Sequence, residues 1–190
     1  MQPENKKALK EWAIVCKALD EGRQIFLTRK GGILEKRGGF EVENREFFLF
    51  PTYLHQNKEE LSPAVHEELD QVNASEPKGL LHFQNYAVVQ ETVIVRELEK
   101  LKKLEPLQIG SWKLLKDRFE WGDEKSLQVV LLRVYRLPKP LTLSLKDSYG
   151  GCKSWVDLEK SLSTNGVQPV VSDQLFQKRV LEVKRAIDPT

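Results

Sequence analysis

The densest positive charge in the sequence lies between Arg23 and Gly39. Five basic residues in this stretch face a single acidic one, Glu35, which leaves a local charge of +4. The basic residues are Arg23, Arg29, Lys30, Lys36 and Arg37. Glycine pairs at 31–32 and 38–39 would let backbone N–H groups approach a phosphate while the cations neutralise its charge. The stretch predicts an anion-binding loop, and the alternative is a solvated hairpin whose glycines only serve its turns.

A second group of polar side chains follows a predicted aromatic strand that ends at Pro51. Strand ends are common positions for functional side chains. The group consists of Thr52, Tyr53, His55 and Gln56. Its hydroxyl, imidazole and amide groups suit recognition of a nucleic-acid base or another polar ligand, and His55 could titrate near neutral pH. The alternative is a packing segment in which Tyr53 and Leu54 are buried and His55 satisfies a backbone carbonyl.

The best candidate for a nucleophile is Cys152, which follows the pair Gly150-Gly151. The neighbouring Lys153 could stabilise a thiolate. Cys152 and His55 could form a catalytic pair, although no spacing in the sequence brings them together. The alternative is a close-packed turn in which a small buried thiol lies beside Trp155.

Two arginines, Arg133 and Arg136, interrupt the most apolar predicted strand, residues 127–137. We expect one of them to be partly buried. A buried guanidinium needs a carboxylate or a bound anion, because an unpaired buried charge is costly. Glu91 or Glu97 could supply the carboxylate, so a structural role is preferred over anion binding.

Metal and cofactor sites have little support in the sequence. The two cysteines form no CxxC pair, and the three histidines lack zinc-ligand spacing. Neither GxGxxG nor GxxxxGK[ST] occurs. The nearest approaches to the Glu-x-Lys signature of metal-dependent nucleases, at 182–184 and 97–100, fall on predicted helices. We therefore expect no bound metal and no cofactor, and a nuclease is disfavoured.

Length and composition indicate one packed α+β domain. The 190 residues are 40% apolar and 31% charged, with a net charge of +2. We expect one domain over 1–190 with flexible termini at 1–7 and 188–190. No run approaches the about 18 apolar residues that cross a bilayer, so a cytoplasmic protein without membrane contact is expected. A pI near 8.4 is lower than dedicated nucleic-acid binders show, so any basic surface must be local.

Periodicity predicts helices at the beginning, in the middle and at the end of the chain. The first rests on the helical spacing of Leu9, Trp12 and Cys16, although Trp12, Ile14 and Cys16 also fit a strand. Predicted helices cover 6–20, 62–72, 96–104 and 112–119, with a last one after Ser172. Predicted strands cover 24–28, 40–42, 46–50, 127–137 and 141–145, and residues 80–95 are long enough for two strands or one bent strand. Without regular βαβ alternation, this order favours an antiparallel sheet or open barrel.

Five motifs, in this order, resemble a bacterial family of unknown function. They are ALKEW (8–12), RKGGI (29–33), FFLFPTYLHQ (47–56), LLRVYRLP (131–138) and YGGCKSW (149–155). The resemblance spans roughly 8–187. The resemblance implies an association with restriction-modification systems. It implies no particular activity, substrate or catalytic residue.

The leading hypothesis is a module that binds nucleic acid or another phosphate-bearing ligand through the 23–39 loop and the adjacent residues 53–56. DNA and RNA both fit this hypothesis. A small PUA-like barrel related to ASCH modules is an architecture that fits by analogy. The alternatives are an enzyme centred on Cys152 and His55, and an accessory subunit that binds a protein partner.

Overall fold

The computed structural model describes residues 1–30, 44–151 and 153–187. The strands of this part are β1 (Glu4–Trp12), β2 (Phe26–Arg29), β3 (Glu46–Thr52), β4 (Leu80–Val95), β5 (Leu127–Ser144), β6 (Trp155–Ser163) and β7 (Gln168–Pro169). Its α-helices are α1 (Ala13–Asp20), α2 (His66–Ala74), α3 (Leu98–Lys102), α4 (Trp112–Glu120) and α5 (Asp173–Ile187). The expected α+β class is confirmed. The predicted strand at 40–42 lies outside the described residues.

The seven described strands form one sheet in the order β2-β5-β4-β3-β1-β6, and β7 pairs with β5. Strand β1 runs parallel to β3, with Ala8 opposite Phe48, and antiparallel to β6, with Leu9 opposite Trp155. The other pairings are antiparallel. The expected antiparallel sheet therefore contains one parallel pair.

The prediction of a helix over 6–20 is wrong in its first half, because the chain is a strand to Trp12 and a helix from Ala13. Ala8 and Leu9 are both buried, in cores on opposite faces of the sheet. A strand with apolar residues buried on both faces does not alternate between apolar and polar residues. The spacing of its apolar residues can therefore resemble that of a helix. Residues 4–7, expected to be flexible, belong to β1. Residues 188–190 lie outside the described part.

Strand β5 continues through the two prolines that were expected to end it at 137. Between the pairs Phe83–Leu141 and Asn85–Arg136, β4 advances two residues while β5 advances five. Pro138 and Pro140 lie within this irregularity, where β5 has no paired residue in β4. Their nitrogens, which cannot donate a hydrogen bond, are therefore tolerated in the strand.

Helices α1 and α2 cover one face of the sheet at its centre. Leu49 of β3 and Ala87 of β4 are buried there with Ile14 of α1 and Leu69 of α2. Apolar burial of this kind holds a helix on a sheet more strongly than its intrinsic helical preference does. The two helices therefore have fixed positions above β3 and β4. No helix in the described ranges is both long and apolar enough to cross a bilayer.

Helix α5 follows the sequence-based expectation closely. The Ser172 side-chain oxygen accepts a hydrogen bond from the Leu175 backbone N–H at 3.2 Å, which is the geometry of an N-cap. Phe176 and Val183 are buried in a core with the beginning of β5. The 3.6-residue period of the apolar residues thus marks the face that packs.

Candidate functional site

A cleft of about 680 Å³ opens between the helices α1 and α2 and the β4–β5 ribbon. This volume lies within the range of about 300–1,000 Å³ that small-molecule sites occupy. Its polar lining includes Lys17, Asp20, Glu68, His82, Asn85 and Thr142. These side chains come from four elements, so the sheet and both helices must be assembled before the cleft exists.

Asp20, at the end of α1, is held in place from two strands. Its Oδ1 accepts a hydrogen bond from Asn85 Nδ2 at 2.6 Å and another from Arg136 Nε at 2.8 Å. Arg136 Nη2 also donates to the Asp20 backbone carbonyl oxygen at 2.7 Å. Asn85 and Arg136 are opposite each other in the β4–β5 register. The register of two strands therefore fixes one wall of the cleft.

The helix wall of the cleft carries a network of ion pairs that joins α1 to α2. Glu68 Oε1 lies 2.6 Å from both Lys17 Nζ and Arg23 Nη2. Glu21 binds the same two cations, with Arg23 Nε at 2.6 Å. Hydrogen bonds to Glu21 and Glu68 raise the pKa of Lys17. The charges of Glu21 and Glu68 are therefore neutralised by Lys17 and Arg23.

Less polar groups also line the cleft. Tyr53 lies there half-buried, beside Leu49, Pro51 and Val72. Burial raises the pKa of the Tyr53 hydroxyl, so it stays a neutral donor near pH 7. Such a wall offers an aromatic face and apolar contact to a flat ligand.

His82 and Thr142 form a cross-strand pair in the lining of the cleft. His82 Nδ1 lies 2.8 Å from Thr142 Oγ1, and the two residues are opposite each other in the register. Gln84 is exposed on the same wall. Imidazole, hydroxyl and amide groups here can donate or accept hydrogen bonds without carrying a fixed charge.

Two lysines lie next to prolines that line the cleft. Lys78 follows Pro77, and Lys139 precedes Pro140. Both lysines are exposed, and neither has a hydrogen-bond or ion-pair partner in the residues that the structure describes. Their charge is therefore not neutralised by any described residue.

The described cations of the predicted 23–39 loop are bound within the protein. Arg23 pairs with Glu21 and Glu68 as above. Arg29 Nη2 donates to Glu11 Oε2 at 2.7 Å, and the Glu11 side chain is only 5% exposed. Lys30 Nζ donates to the backbone oxygens of Phe119 at 2.8 Å and Ser126 at 3.1 Å. Lys36 and Arg37 lie outside the described residues.

The predicted segment after Pro51 divides between two environments. Tyr53 lines the cleft, whereas His55 is exposed on the following turn with a positive φ of 64°. Gln56 accepts a hydrogen bond from the Ile14 backbone N–H at 3.0 Å and so binds the beginning of α1. Thr52 Oγ1 donates to the Glu11 carbonyl oxygen at 3.2 Å. Only Tyr53 of this segment is placed to meet a ligand in the cleft.

The turn before Cys152 is tightly built, and Cys152 itself lies outside the described residues. Gly151 has φ 78°, and a Cβ on Gly150 would lie 3.0 Å from the Asp147 carbonyl oxygen. Trp155 is half-buried against Phe47, with ring centroids 5.0 Å apart. The described residues do not bring a partner to His55, so the Cys152–His55 enzyme stays a prediction.

Arg133 is buried, and its partner is not one of the expected glutamates. Its Nη2 lies 2.6 Å from Asp173 Oδ1 at the beginning of α5, and its guanidinium lies 4.7 Å from the Phe176 ring centroid. Glu91 pairs with Lys184 instead, and Glu97 pairs with Lys100. The expected pairing is therefore wrong, because α5 packs closer to Arg133 than the end of β4 does. Arg133 joins α5 to the sheet.

Comparison with protein families identifies the relationship of this chain. The family described as a domain of unknown function (DUF1802) matches residues 8–182. The chain belongs to this family. The predicted membership of a family of unknown function is thereby confirmed. None of the curated proteins matches the chain significantly.

Solved structures similar to this DUF1802 protein include ASCH from Zymomonas mobilis, at 12% sequence identity and a TM-score of 0.47 over 92% of both chains. A mutant protein of ZmASCH from the same organism matches at 14% identity and a TM-score of 0.48, covering 84% of this chain and 92% of its own. A second mutant matches at 14% identity and 0.45, covering 81% and 90%.

Proposed function

We propose that this DUF1802 protein binds single-stranded nucleic acid by taking one base into the cleft between α1, α2 and the β4–β5 ribbon. The observation that carries the proposal is the contrast between a polar cleft whose charges are paired and two exposed lysines, next to cleft-lining prolines, that have no partner among the described residues. The cleft suits an uncharged base, and the lysines suit the phosphates on either side of that base.

The charges inside the cleft are satisfied by the protein itself. Lys17 and Arg23 bind Glu21 and Glu68, and Arg136 binds Asp20. A phosphate that entered would have to displace one of these carboxylates and be desolvated itself. A base needs only hydrogen bonds and a face to stack on, which the amides, hydroxyls and Tyr53 can supply.

Two exposed lysines next to the cleft-lining prolines suit the nucleic-acid backbone. Lys78 and Lys139 are exposed and lie beside the cleft-lining prolines Pro77 and Pro140. Lysines without an internal partner neutralise phosphates at little cost, and this part of the affinity is independent of sequence. The strand must be single, because a base stacked and paired in a duplex cannot enter a cleft without being flipped out.

Fluorescence anisotropy with labelled single-stranded and duplex oligonucleotides, each as RNA and DNA, tests the proposal at two salt concentrations. We expect tighter binding of single strands than of duplexes, and affinity that falls with salt. Replacing Lys78 and Lys139 by serine should weaken binding several-fold and reduce the salt slope by about 0.7 for each phosphate that is no longer neutralised.

The matched control is the double variant Lys102→Ser and Lys103→Ser, which removes the same charge from exposed positions on and next to α3. It should bind nearly as well as the unaltered protein. Absence of binding at low salt, or equal weakening in the two double variants, would overturn the proposal. A role for Lys36 and Arg37 and a link to restriction-modification stay predictions beside it.

A further inference from the structure

Asn85 is the most buried polar group of the cleft wall whose orientation the structure fixes. The residue is 3% exposed and lies on β4 opposite Arg136. Its Nδ2 donates to Asp20 Oδ1 at 2.6 Å. Its Oδ1 has no hydrogen-bond partner among the described residues, although the residue lines the cleft.

Rotating the Asn85 amide so that Oδ1 and Nδ2 exchange positions would cost free energy. Asp20 Oδ1 also accepts a hydrogen bond from Arg136 Nε, so Asp20 presents an acceptor to its neighbours. A turned amide would place its own carbonyl oxygen against that acceptor and lose a hydrogen bond to a charged group. Asp20 and Arg136 therefore keep Nδ2 on the helix side and leave Oδ1 as an acceptor for a ligand.

We infer that Asn85 makes the cleft selective for a base with an exocyclic amino group, an inference that rests on the proposed function. Cytosine carries an amino group at position 4, where uracil carries a carbonyl oxygen. The amino group of cytosine would donate a hydrogen bond to Asn85 Oδ1. The carbonyl oxygen of uracil cannot donate, so Asn85 Oδ1 would stay buried without a hydrogen bond. Sites that hydrogen-bond a specific group reject analogues lacking it for this reason.

Cytosine and uracil oligoribonucleotides of equal length provide the direct test, because the two bases have nearly the same size and stacking surface. We expect the unaltered protein to bind the cytosine oligonucleotide about tenfold more tightly, the discrimination of one good hydrogen-bonding group. Asn85→Ala should bring the ratio close to one.

Asp20→Asn tests the positioning role of Asp20, because an asparagine there can donate as well as accept and no longer holds the Asn85 amide in one orientation. The variant should bind both oligonucleotides with similar affinity. Its matched control is Glu21→Gln, which removes the same charge from the same end of α1 and does not contact Asn85. This control should keep the preference for cytosine.

The outcomes separate the two proposals. Equal binding of both oligonucleotides by the unaltered protein would overturn the selectivity and leave the proposed function standing. Absence of binding to either would overturn the proposed function. A preference that persists in folded Asp20→Asn, with folding checked by circular dichroism, would overturn the role of Asp20. If that variant does not fold, the ratio for the unaltered protein still decides the selectivity.

Discussion

Arg136 binds Asp20 at two places, through Nε to the carboxylate at 2.8 Å and through Nη2 to the backbone carbonyl oxygen at 2.7 Å. The second bond satisfies one of the last carbonyls of α1, which have no partner inside the helix. One exposed side chain of β5 thus serves as a C-terminal anchor for a helix that lines the cleft.

Arg136→Lys is expected to lower the free energy of unfolding by about 1 kcal/mol, because one ammonium cannot reproduce two hydrogen bonds from a planar guanidinium. Urea denaturation measures the change. Lys139→Ala, three residues later and without a partner in the described chain, should change stability by less than about 0.5 kcal/mol. Equal effects of the two substitutions would contradict the anchoring role.

Gly22→Ala is expected to be among the most destabilising glycine substitutions. Gly22 has φ 66°, and a Cβ there would lie 2.4 Å from Val171 Cγ1. We expect a loss of about 2 to 4 kcal/mol, from backbone strain together with the steric conflict. Thermal or urea denaturation gives the value.

Gly122→Ala separates the two contributions. Gly122 has nearly the same φ, 71°, but a Cβ there would have no described atom within 4 Å. This variant should lose only the strain, about 1 kcal/mol. If it is as unstable as Gly22→Ala, contact with Val171 has no part in the effect.

Cys16 is expected to react slowly with iodoacetamide in the folded protein. Burial, with a smaller effect of Glu11, raises the pKa of the thiol well above its usual value, so little thiolate forms near pH 7. In a Cys152→Ser background, mass spectrometry should show slow alkylation of the native protein and fast alkylation in urea. Similar rates in both conditions would show that the thiol is accessible.

Tyr86 should make the protein less stable at alkaline pH. Burial raises the pKa of its hydroxyl well above 10, and the group donates to Glu46 Oε2 at 3.0 Å. The unfolded chain loses the tyrosine proton above about pH 10 while the folded protein keeps it, so its stabilising contribution is complete below pH 10 and falls as pH rises.

Comparison with Tyr86→Phe isolates this effect, since all other groups titrate in both proteins. The difference in free energy of unfolding between the two should shrink by about 1.4 kcal/mol between pH 9 and pH 11. Denaturation curves at four pH values in this range suffice. A difference that stays constant with pH would show that Tyr86 ionises equally in both states.

The sequence predicts those elements whose packing is local. Helix α5 was expected from its Ser172 cap and its apolar period, and the centre of β5 from its valines and leucines. The sequence does not predict β1 because its pairing partners β3 and β6 are distant in the sequence. Nothing in residues 8–12 alone indicates those neighbours.

The cleft could not be predicted for a related reason. Asp20, Asn85 and Arg136 belong to three elements, and only the β4–β5 register brings the last two opposite each other. Formal charge also does not show which cations of the 23–39 loop are paired inside the protein. Arg23 is neutralised by Glu68, 45 residues away, and that pairing is a property of the packed helices.

The position of β1 between β3 and β6 has a consequence during protein synthesis. A ribosome that makes about 5–20 residues per second needs about 5 to 20 s to pass from Thr52 at the end of β3 to Trp155 at the start of β6. Throughout that time one side of β1 has no strand to pair with. Exposed N–H and C=O groups of an unpaired edge can accept a strand from another chain. Newly made protein therefore exposes this edge of β1 until β6 leaves the ribosome, after which residues 155–163 cover it and β6 forms the edge of the sheet.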